Sequence, residues 1–495
     1  MPMISARPLL RLLLLAAPLA ACVVGPDYRK PAADLPAAWS AAAPPAAVAP
    51  PPESWWTGFA DAELTSLITR AAAANLDARA AVLRLAEARA QRAVAGAAQW
   101  PNLGANAAGQ VTRLSESTPT GALFSKIGQS PALAGVKIDN PYEQYQIGFD
   151  AAWEVDLFGH VRRSVEAAGA DSDAAAEDSR AVLVSVLGDV GRAYIDLRRA
   201  QVKRCIAQDT LTTERGLLDL AGQRRAAGLG GVIDMDRAAA EAAGAEAQLP
   251  LLDQQITADI NQLSRLVARE PGALRSELET SPTTQSVAPA VTAGLPADLA
   301  RRRPDIRAAE ARLHAATARV GVAVADLFPR VTLAAQGGLQ AQSLTTLTHW
   351  ASRFVNAGPN LELPVFDAGR RRATVRLQTV REREAALDYQ RVVLGTVHEA
   401  DTALAARSAD EARRISLSQA AAHDREAADL ARQRYAGGVG SFIEVLGAER
   451  ARQQNDLALA DATAAVSIDT VVIYKALGGG WSEAATAAPD VRDRR

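Results

Sequence analysis

The chain has 495 residues, a formal net charge of −2 and only 4% aromatic residues. Near-neutral charge without clustered Lys and Arg argues against a nucleic-acid binder, which needs basic side chains on one face to release counterions. Few aromatics and abundant alanine argue against a thick aromatic core and favour helices that approach closely through small side chains.

At the N-terminus, Arg7 and Arg11 accompany an apolar run over residues 12–21. The run is too short to span a bilayer, which takes about 20 residues, so residues 1–21 read as a signal peptide. It closes on Leu19-Ala20-Ala21-Cys22, small residues ahead of a cysteine, as a lipoprotein signal peptidase requires. The Cys22 thiol would then carry a diacylglycerol and become the mature N-terminus, anchored to outer-membrane lipid by about 0.8 kcal/mol per buried methylene. Val23, not Asp, follows, which in enteric-type sorting implies the outer membrane. Lipidation of Cys22 leaves Cys205 without a partner, so no intrachain disulfide is expected and Cys205 reads as a packed helix residue. Residues 22–54 form a lipid-anchored Pro/Ala-rich lead-in.

Residues 55–280 read as a first repeat. Leu103, Ala105, Ala107 and Val111 alternate with Asn102, Asn106, Gln110 and Thr112, predicting a strand over 102–114. Tyr145, Ile147, Phe149, Ala151 and Trp153 alternate with Gln146, Asp150 and Glu154, predicting a second over 142–157. A helical hairpin follows over 159–270. Its first arm carries Leu183, Leu187, Val190, Tyr194 and Leu197 at the 4-3-4-3 spacing of a seam between helices. The stretch 159–223 has no proline and could run roughly 95 Å at 1.5 Å per residue. A glycine-rich break, Gly228-Leu229-Gly230, turns the chain into the return arm.

A Ser/Thr/Pro/Ala linker over 281–296 leads to a second repeat, 297–480. Strands are predicted over 330–342, where Val331, Leu333, Ala335 and Leu339 alternate with Thr332, Gln336 and Gln340, and over 353–366. A helical hairpin over 368–477 turns at Gly438-Val439-Gly440, and 481–495 reads as a mobile tail. The halves answer one another: Trp153-Glu154-Val155-Asp156-Leu157-Phe158 to Leu361-Glu362-Leu363-Pro364-Val365-Phe366, with a drift of about three residues across the match.

The strands match the length that a tilted strand needs to cross an outer membrane, about ten residues. Four strands cannot close a barrel, and open edges in hydrocarbon cost on the order of several kcal/mol per unsatisfied backbone group, so the chain must assemble. Periodicity leaves open whether dimers or trimers do so.

The segments Cys22-Val23-Val24-Gly25-Pro26-Asp27-Tyr28, Trp55-Trp56-Thr57-Gly58-Phe59, Trp153-Glu154-Val155-Asp156-Leu157-Phe158-Gly159 and Arg301-Arg302-Arg303-Pro304-Asp305-Ile306-Arg307 occur in an order that resembles the outer-membrane efflux lipoproteins of the TolC/OprM type, the NodT-like outer-membrane factors of RND efflux. The resemblance spans nearly the whole mature chain. It implies a mainly α chain with a membrane β-barrel: a TolC-like homotrimer, four strands and long coiled-coil helices per chain, with a twelve-stranded barrel continued by a periplasmic tunnel. It also implies docking to a periplasmic adaptor (membrane fusion) protein and an inner-membrane RND-type pump.

Adaptor hairpins dock at the periplasmic tips of related exporters, which makes Gly228, Leu229, Gly230, Gly438, Val439 and Gly440 candidate contacts. Glu444 matches an acidic gate position of the family, and Gly447 stands where some relatives carry a second acid. Asp234 and Asp236, just past the first turn, are gate candidates or solvated acids favoured by a helix N-terminus. Arg434 and Tyr435 are candidates to tether neighbouring helices and hold a closed state.

The sequence carries no recognisable catalytic motif. The five histidines are scattered, and His398-Glu399 lacks the second histidine of a zinc helix motif, Thr402 standing in its place. Gly438-Val439-Gly440 has no following phosphate-loop lysine, and no nucleophile elbow occurs. No enzyme activity, cofactor or metal is expected, and transport energy falls to a partner. Beside a passive export conduit for small molecules stand two other readings: the exit duct of a type I protein-secretion system, and a non-conducting structural lipoprotein spanning the periplasm. The amphipathic strands weigh against the second, because a spacer needs no lumen.

Overall fold

The computed structural model describes residues 23–32, 35–40, 53–120, 122–123, 140–279, 288–289, 291 and 296–481. The signal peptide, Cys22, most of the linker and residues 482–495 lie outside them. A 3-10 turn, Trp55–Phe59, precedes α1 (Ala62–Ala74), whose N-terminal amides of Glu63 and Leu64 donate to the Asp61 carboxylate. Asn75 then caps α2 (Leu76–Ala97), its Oδ1 accepting from the Asp77 and Ala78 amides while its Nδ2 donates to the Leu266 carbonyl.

Strands β1 (Asn102–Thr112) and β2 (Tyr142–Val155) follow, then α3 (His160–Ala226) and α4 (Val232–Leu266). The second half repeats the plan: α5 (Pro304–Ala325), β3 (Arg330–Ala341), β4 (Arg353–Glu362), α6 (Arg370–Ala436) and α7 (Phe442–Ala476). The duplication extends to element lengths, because α3 and α6 each have 67 residues, α4 and α7 each 35, and α2 and α5 each 22.

The strands are shorter than alternation predicts, and each stop has a local cause. Strand β4 ends at Glu362 rather than 366, because the next rung would set Leu363 against Pro329, which has no N–H to give, and Pro364 follows. Strand β1 ends at Thr112 rather than 114, since the Asn140 side chain takes the Leu114 amide (2.8 Å) and donates to its carbonyl (2.9 Å). Strand β2 ends at Val155, where the Leu157 amide turns back onto the Val155 carbonyl.

Two compact units share the chain. One holds Ala88–Ser172 and Arg312–Ala385 with the N-terminal residues up to Arg29. It contains the antiparallel sheet, order β1-β2-β3-β4, and a core of small side chains such as Ala167, Ala170, Ala315 and Ala318. Its N-terminal residues are tied down: the Val24 amide donates to the Phe158 carbonyl, Asp27 pairs with buried Arg163 (2.5 Å), and Tyr28 stacks on His314.

The other unit holds Lys30–Glu87, Asp173–Ala311 and Ala386–Arg495. Its main core is the predicted seam: Leu187, Val190, Tyr194 and Leu197 are buried against Leu64, Leu67, Ile68, Leu263 and Ile473. Helix α7 is apolar enough to cross a bilayer by composition alone, but Val466, Val471, Ile473 and Tyr474 are buried within this unit.

Two sequence expectations need correction here. Cys205 is exposed, not packed, because five residues beyond buried Ala200 it has turned about 140° round the helix, off the seam. Trp481, assigned to a mobile tail, is held: its ring lies under the Arg180 and Arg307 guanidiniums and its Nε1 donates to the Arg302 carbonyl (3.2 Å). Within the linker Val291 is buried, and Arg407 donates to the Pro289 carbonyl at 3.0 Å.

Candidate functional site

The sheet sorts its side chains by register. Across all four strands, odd-numbered residues face odd and even face even, as in Ala105–Phe149–Gly337–Val355 and Gly104–Asp150–Gln336–Asn356. One face is therefore apolar except for Glu143 and Arg353 at strand ends, and the other is mainly polar, where Glu154, Thr332 and Asn360 make a second row and Asn106 donates to Asp150 at 3.1 Å. The apolar face is uncovered, with Phe149 62% and Val355 84% exposed. A large exposed apolar face beside a wet polar one suits a sheet with lipid on one side and water on the other. Among the described residues, strands β1 and β4 each keep one unpaired edge within the chain. At the strand–helix end of the polar face, Arg330 bridges Asp326 (2.5 Å) and the His160 ring (3.0 Å), and Arg371 donates to the Asp326 carbonyl at 2.7 Å.

The helical turns at the other candidate site are two copies of one motif. Gly228 donates to the Arg225 carbonyl and Leu229 to Arg224, while Gly438 donates to Tyr435 and Val439 to Arg434. This double bond pattern needs a left-handed residue, and Gly228 (φ 71°) and Gly438 (φ 78°) supply it. Leu229 and Val439 project into solvent, 71% and 73% exposed, as a contact surface requires.

Behind the turns lies a small core of Leu217, Ala221, Ala238, Tyr435, Phe442, Val445 and Leu446. Tyr435 is a buried residue of this core: its ring lies 5.4 Å from Phe442 and, among the described residues, its hydroxyl finds no hydrogen bond. Burial, then the nearby Asp234 charge, push its phenol above the ordinary value, against Arg224. The tie between the hairpins comes from Arg224, whose guanidinium covers the Tyr435 ring (4.6 Å) and donates to the Tyr435 carbonyl (2.5 Å). Arg434 and Asp236 are exposed and do not join this cluster. Glu444 is exposed but engaged: with Ser441 it forms a capping box at the start of α7, both bonds 3.4 Å.

Sequence reasoning missed Glu214. It is buried on α3, and its Oε2 has no hydrogen-bond partner among the described residues. Burial first, then Glu241 on α4 and Glu449 on α7, push its carboxyl up to about 7, against the pull of Arg450 and Arg452 on α7. Arg450 also pairs with Glu241, and Glu449 with Arg432 (3.2 Å) and Arg452 (3.3 Å). Only an interior position makes Glu214 unusual, and its local sequence carries no signal of that. Among the described residues, no three His, Cys, Asp or Glu side chains converge as metal ligands.

The sequence pattern described as "Outer membrane efflux protein" matches residues 67–269 and 295–479. The chain is 33% identical over 478 residues to outer membrane protein OprJ of Pseudomonas aeruginosa, covering 95% of each. It is 31% identical over 472 residues to the toluene efflux pump outer membrane protein TtgI of Pseudomonas putida, covering 94% of this chain and 96% of that one. The solved structure of the outer-membrane channel OprN superposes with a TM-score of 0.83 at 34% identity, over 93% of this chain and 100% of that one.

Proposed function

Given that this chain belongs to the outer membrane efflux protein family, we propose that it is the passive outer-membrane duct of a tripartite efflux system. Three copies close one barrel from their four-stranded sheets and continue it as a helical tunnel. The tunnel tips, at Gly228–Gly230 and Gly438–Gly440, meet a periplasmic adaptor, and an RND-type inner-membrane pump supplies the energy. Cys22 carries the lipid anchor.

The observation that carries this reading is the sheet: a mainly apolar face, a mainly polar face and, among the described residues, two unpaired edges. An unpaired edge in hydrocarbon is too costly to persist, and a second copy of the same sheet is the partner whose alternation matches. The polar face then lines water, and cargo passes without a chemical step. TtgI serves toluene efflux, and what carries over to this chain is the class of small molecules, with Asn, Gln, Thr, Asp and Glu lining the path.

Native mass spectrometry of the detergent-solubilised protein should give a trimer, and that trimer should conduct ions in a planar bilayer. A stable, fully folded monomer would sink the barrel, and a non-conducting trimer would leave a structural spacer instead.

A further inference from the structure

Phe158, just past β2, stacks on Phe328, just ahead of β3, with ring centroids 4.8 Å apart and planes 21° from parallel. These strands are the paired inner strands of the sheet. The internal repeat supplies both aromatic positions again. Trp100-Pro101 stands ahead of β1 as Phe328-Pro329 stands ahead of β3, and Val365-Phe366 follows β4 as Leu157-Phe158 follows β2. Yet β1 and β4 lie at opposite edges of the sheet, about 14 Å apart at about 4.8 Å per strand, so the second pair cannot meet within one chain. Phe158 and Phe328 are accordingly half-buried, whereas Trp100 is 74% and Phe366 90% exposed.

The backbone at Trp100 is held in place although its ring faces solvent. Its amide donates to the Ala97 carbonyl (3.1 Å), and the carbonyl of its neighbour Gln99 accepts from the Trp153 indole N–H (3.0 Å). Phe366 is followed at once by Asp367, whose carboxylate caps α6 through the Gly369 and Arg371 amides. Two large rings left in the open on held backbone at matching edges indicate a missing partner of complementary shape.

We infer that Phe366 of one copy stacks on Trp100 of the next, an inter-chain clasp at the foot of the barrel equivalent to the Phe158–Phe328 stack inside each chain. The inference rests on the assembly reading above and goes beyond it by naming the residues that lock β4 of one copy to β1 of its neighbour. The pairing must also join odd-numbered residues to odd, the parity of every pairing inside the chain, since any other register would turn the apolar face of the next copy into the lumen.

The test uses the full-length chain in a Cys205→Ser background, with Trp100→Cys and Phe366→Cys together and a short bis-methanethiosulfonate cross-linker. Covalent dimers and trimers are expected on a denaturing gel, with neither single variant giving them. Phe158→Cys with Phe328→Cys, the internal control, should cross-link without leaving monomer mass. A double variant that stays trimeric by native mass spectrometry but gives only monomers on the gel, while the control pair reacts, overturns the clasp and leaves the trimer standing. Monomers of the parent protein by native mass spectrometry overturn both. Separately, Trp100→Ala, Phe366→Ala and their combination should lower the temperature of trimer dissociation to the same extent. Additive losses would mean that the rings act independently, as lipid anchors, and would overturn the pairing.

Discussion

Arg224, at the end of the first long helix, lies 4.6 Å above the ring of Tyr435, at the end of the second, and donates to its backbone carbonyl at 2.5 Å. One guanidinium thus joins the two hairpin tips by a cation–π contact and a charge-assisted hydrogen bond. Tyr435→Ala would open a cavity among Leu217, Phe442 and Val445 at a cost of about 3–5 kcal/mol. Arg224→Ala should cost about 1–2 kcal/mol. Both should speed amide hydrogen exchange at the tips, and Tyr435→Ala combined with Arg434→Ala should raise single-channel conductance. Tyr435→Phe should be neutral or slightly stabilising, because it removes a buried hydroxyl with no partner. Unchanged exchange in Tyr435→Ala and Arg224→Ala would show that the tips are held elsewhere.

Glu444 has two separable duties to test. Its side chain closes a capping box with Ser441, and three copies round a threefold axis would form a cation-attracting ring. Glu444→Gln keeps a capping side chain and removes the charge. It should leave thermal stability within about 0.5 kcal/mol while lowering cation selectivity, read as a shift in reversal potential under a salt gradient. Ser441→Ala should do the reverse, costing about 1 kcal/mol with selectivity intact. Unaltered reversal potentials in Glu444→Gln would leave this residue as a cap alone.

Glu214 makes tip stability depend on pH. Its folded-state value, pushed up to about 7, lies above the ordinary 4.5, so the folded chain binds this proton more tightly than the unfolded one. The stabilisation from this group is full below about 4.5 and is lost as pH rises through about 7. Charging Glu214 also sets a third carboxylate beside Glu241 and Glu449, with Arg450 and Arg452 already paired to those two. The thermal midpoint should therefore fall from about pH 5 to about pH 8, and Glu214→Gln should flatten the curve and raise its alkaline end. Parallel curves for the two proteins would assign the dependence to other groups.

At the N-terminus, Gly25 has φ 93°, and a Cβ there would lie 2.6 Å from the Gly321 Cα. Gly25→Ala combines left-handed strain of roughly 1–2 kcal/mol with a backbone clash, so it should free the segment that Asp27 and Tyr28 otherwise hold. Limited proteolysis should then cut within residues 23–40 sooner than in the parent. Cys22→Ser, by contrast, should leave a pre-protein that the lipoprotein peptidase does not cleave. Mass spectrometry finding an unmodified mature N-terminus at another residue of the parent protein would remove the lipid anchor.

Alternation along residues 102–112 or 330–341 is a property of consecutive residues, and the seam from Leu187 to Leu197 repeats within one helix. Such patterns survive in a bare sequence because neighbours along the chain share a face at fixed intervals. The glycine turns were legible for the same reason, since Gly228 and Gly438 each serve a bond pattern closed within six residues. Duplication was visible as well, because the second copy of each element repeats the same local rules.

What the sequence left open depends on residues far apart. Arg224 reads as an ordinary helix-end base until Tyr435, a whole repeat away, comes under it. Glu214 is one acid among many until α4 and α7 bury it beside Glu241 and Glu449. Cys205 seemed packed and is exposed, Trp481 seemed loose and is stacked, and the end of β4 depended on which proline faced its next rung. By itself the sequence determined which segments are strand or helix and which faces are wet, because those follow from side-chain period and backbone preference. The tertiary structure alone decided which charges lose their water and which rings are left facing outward, because burial depends on the distant segments that close over a site.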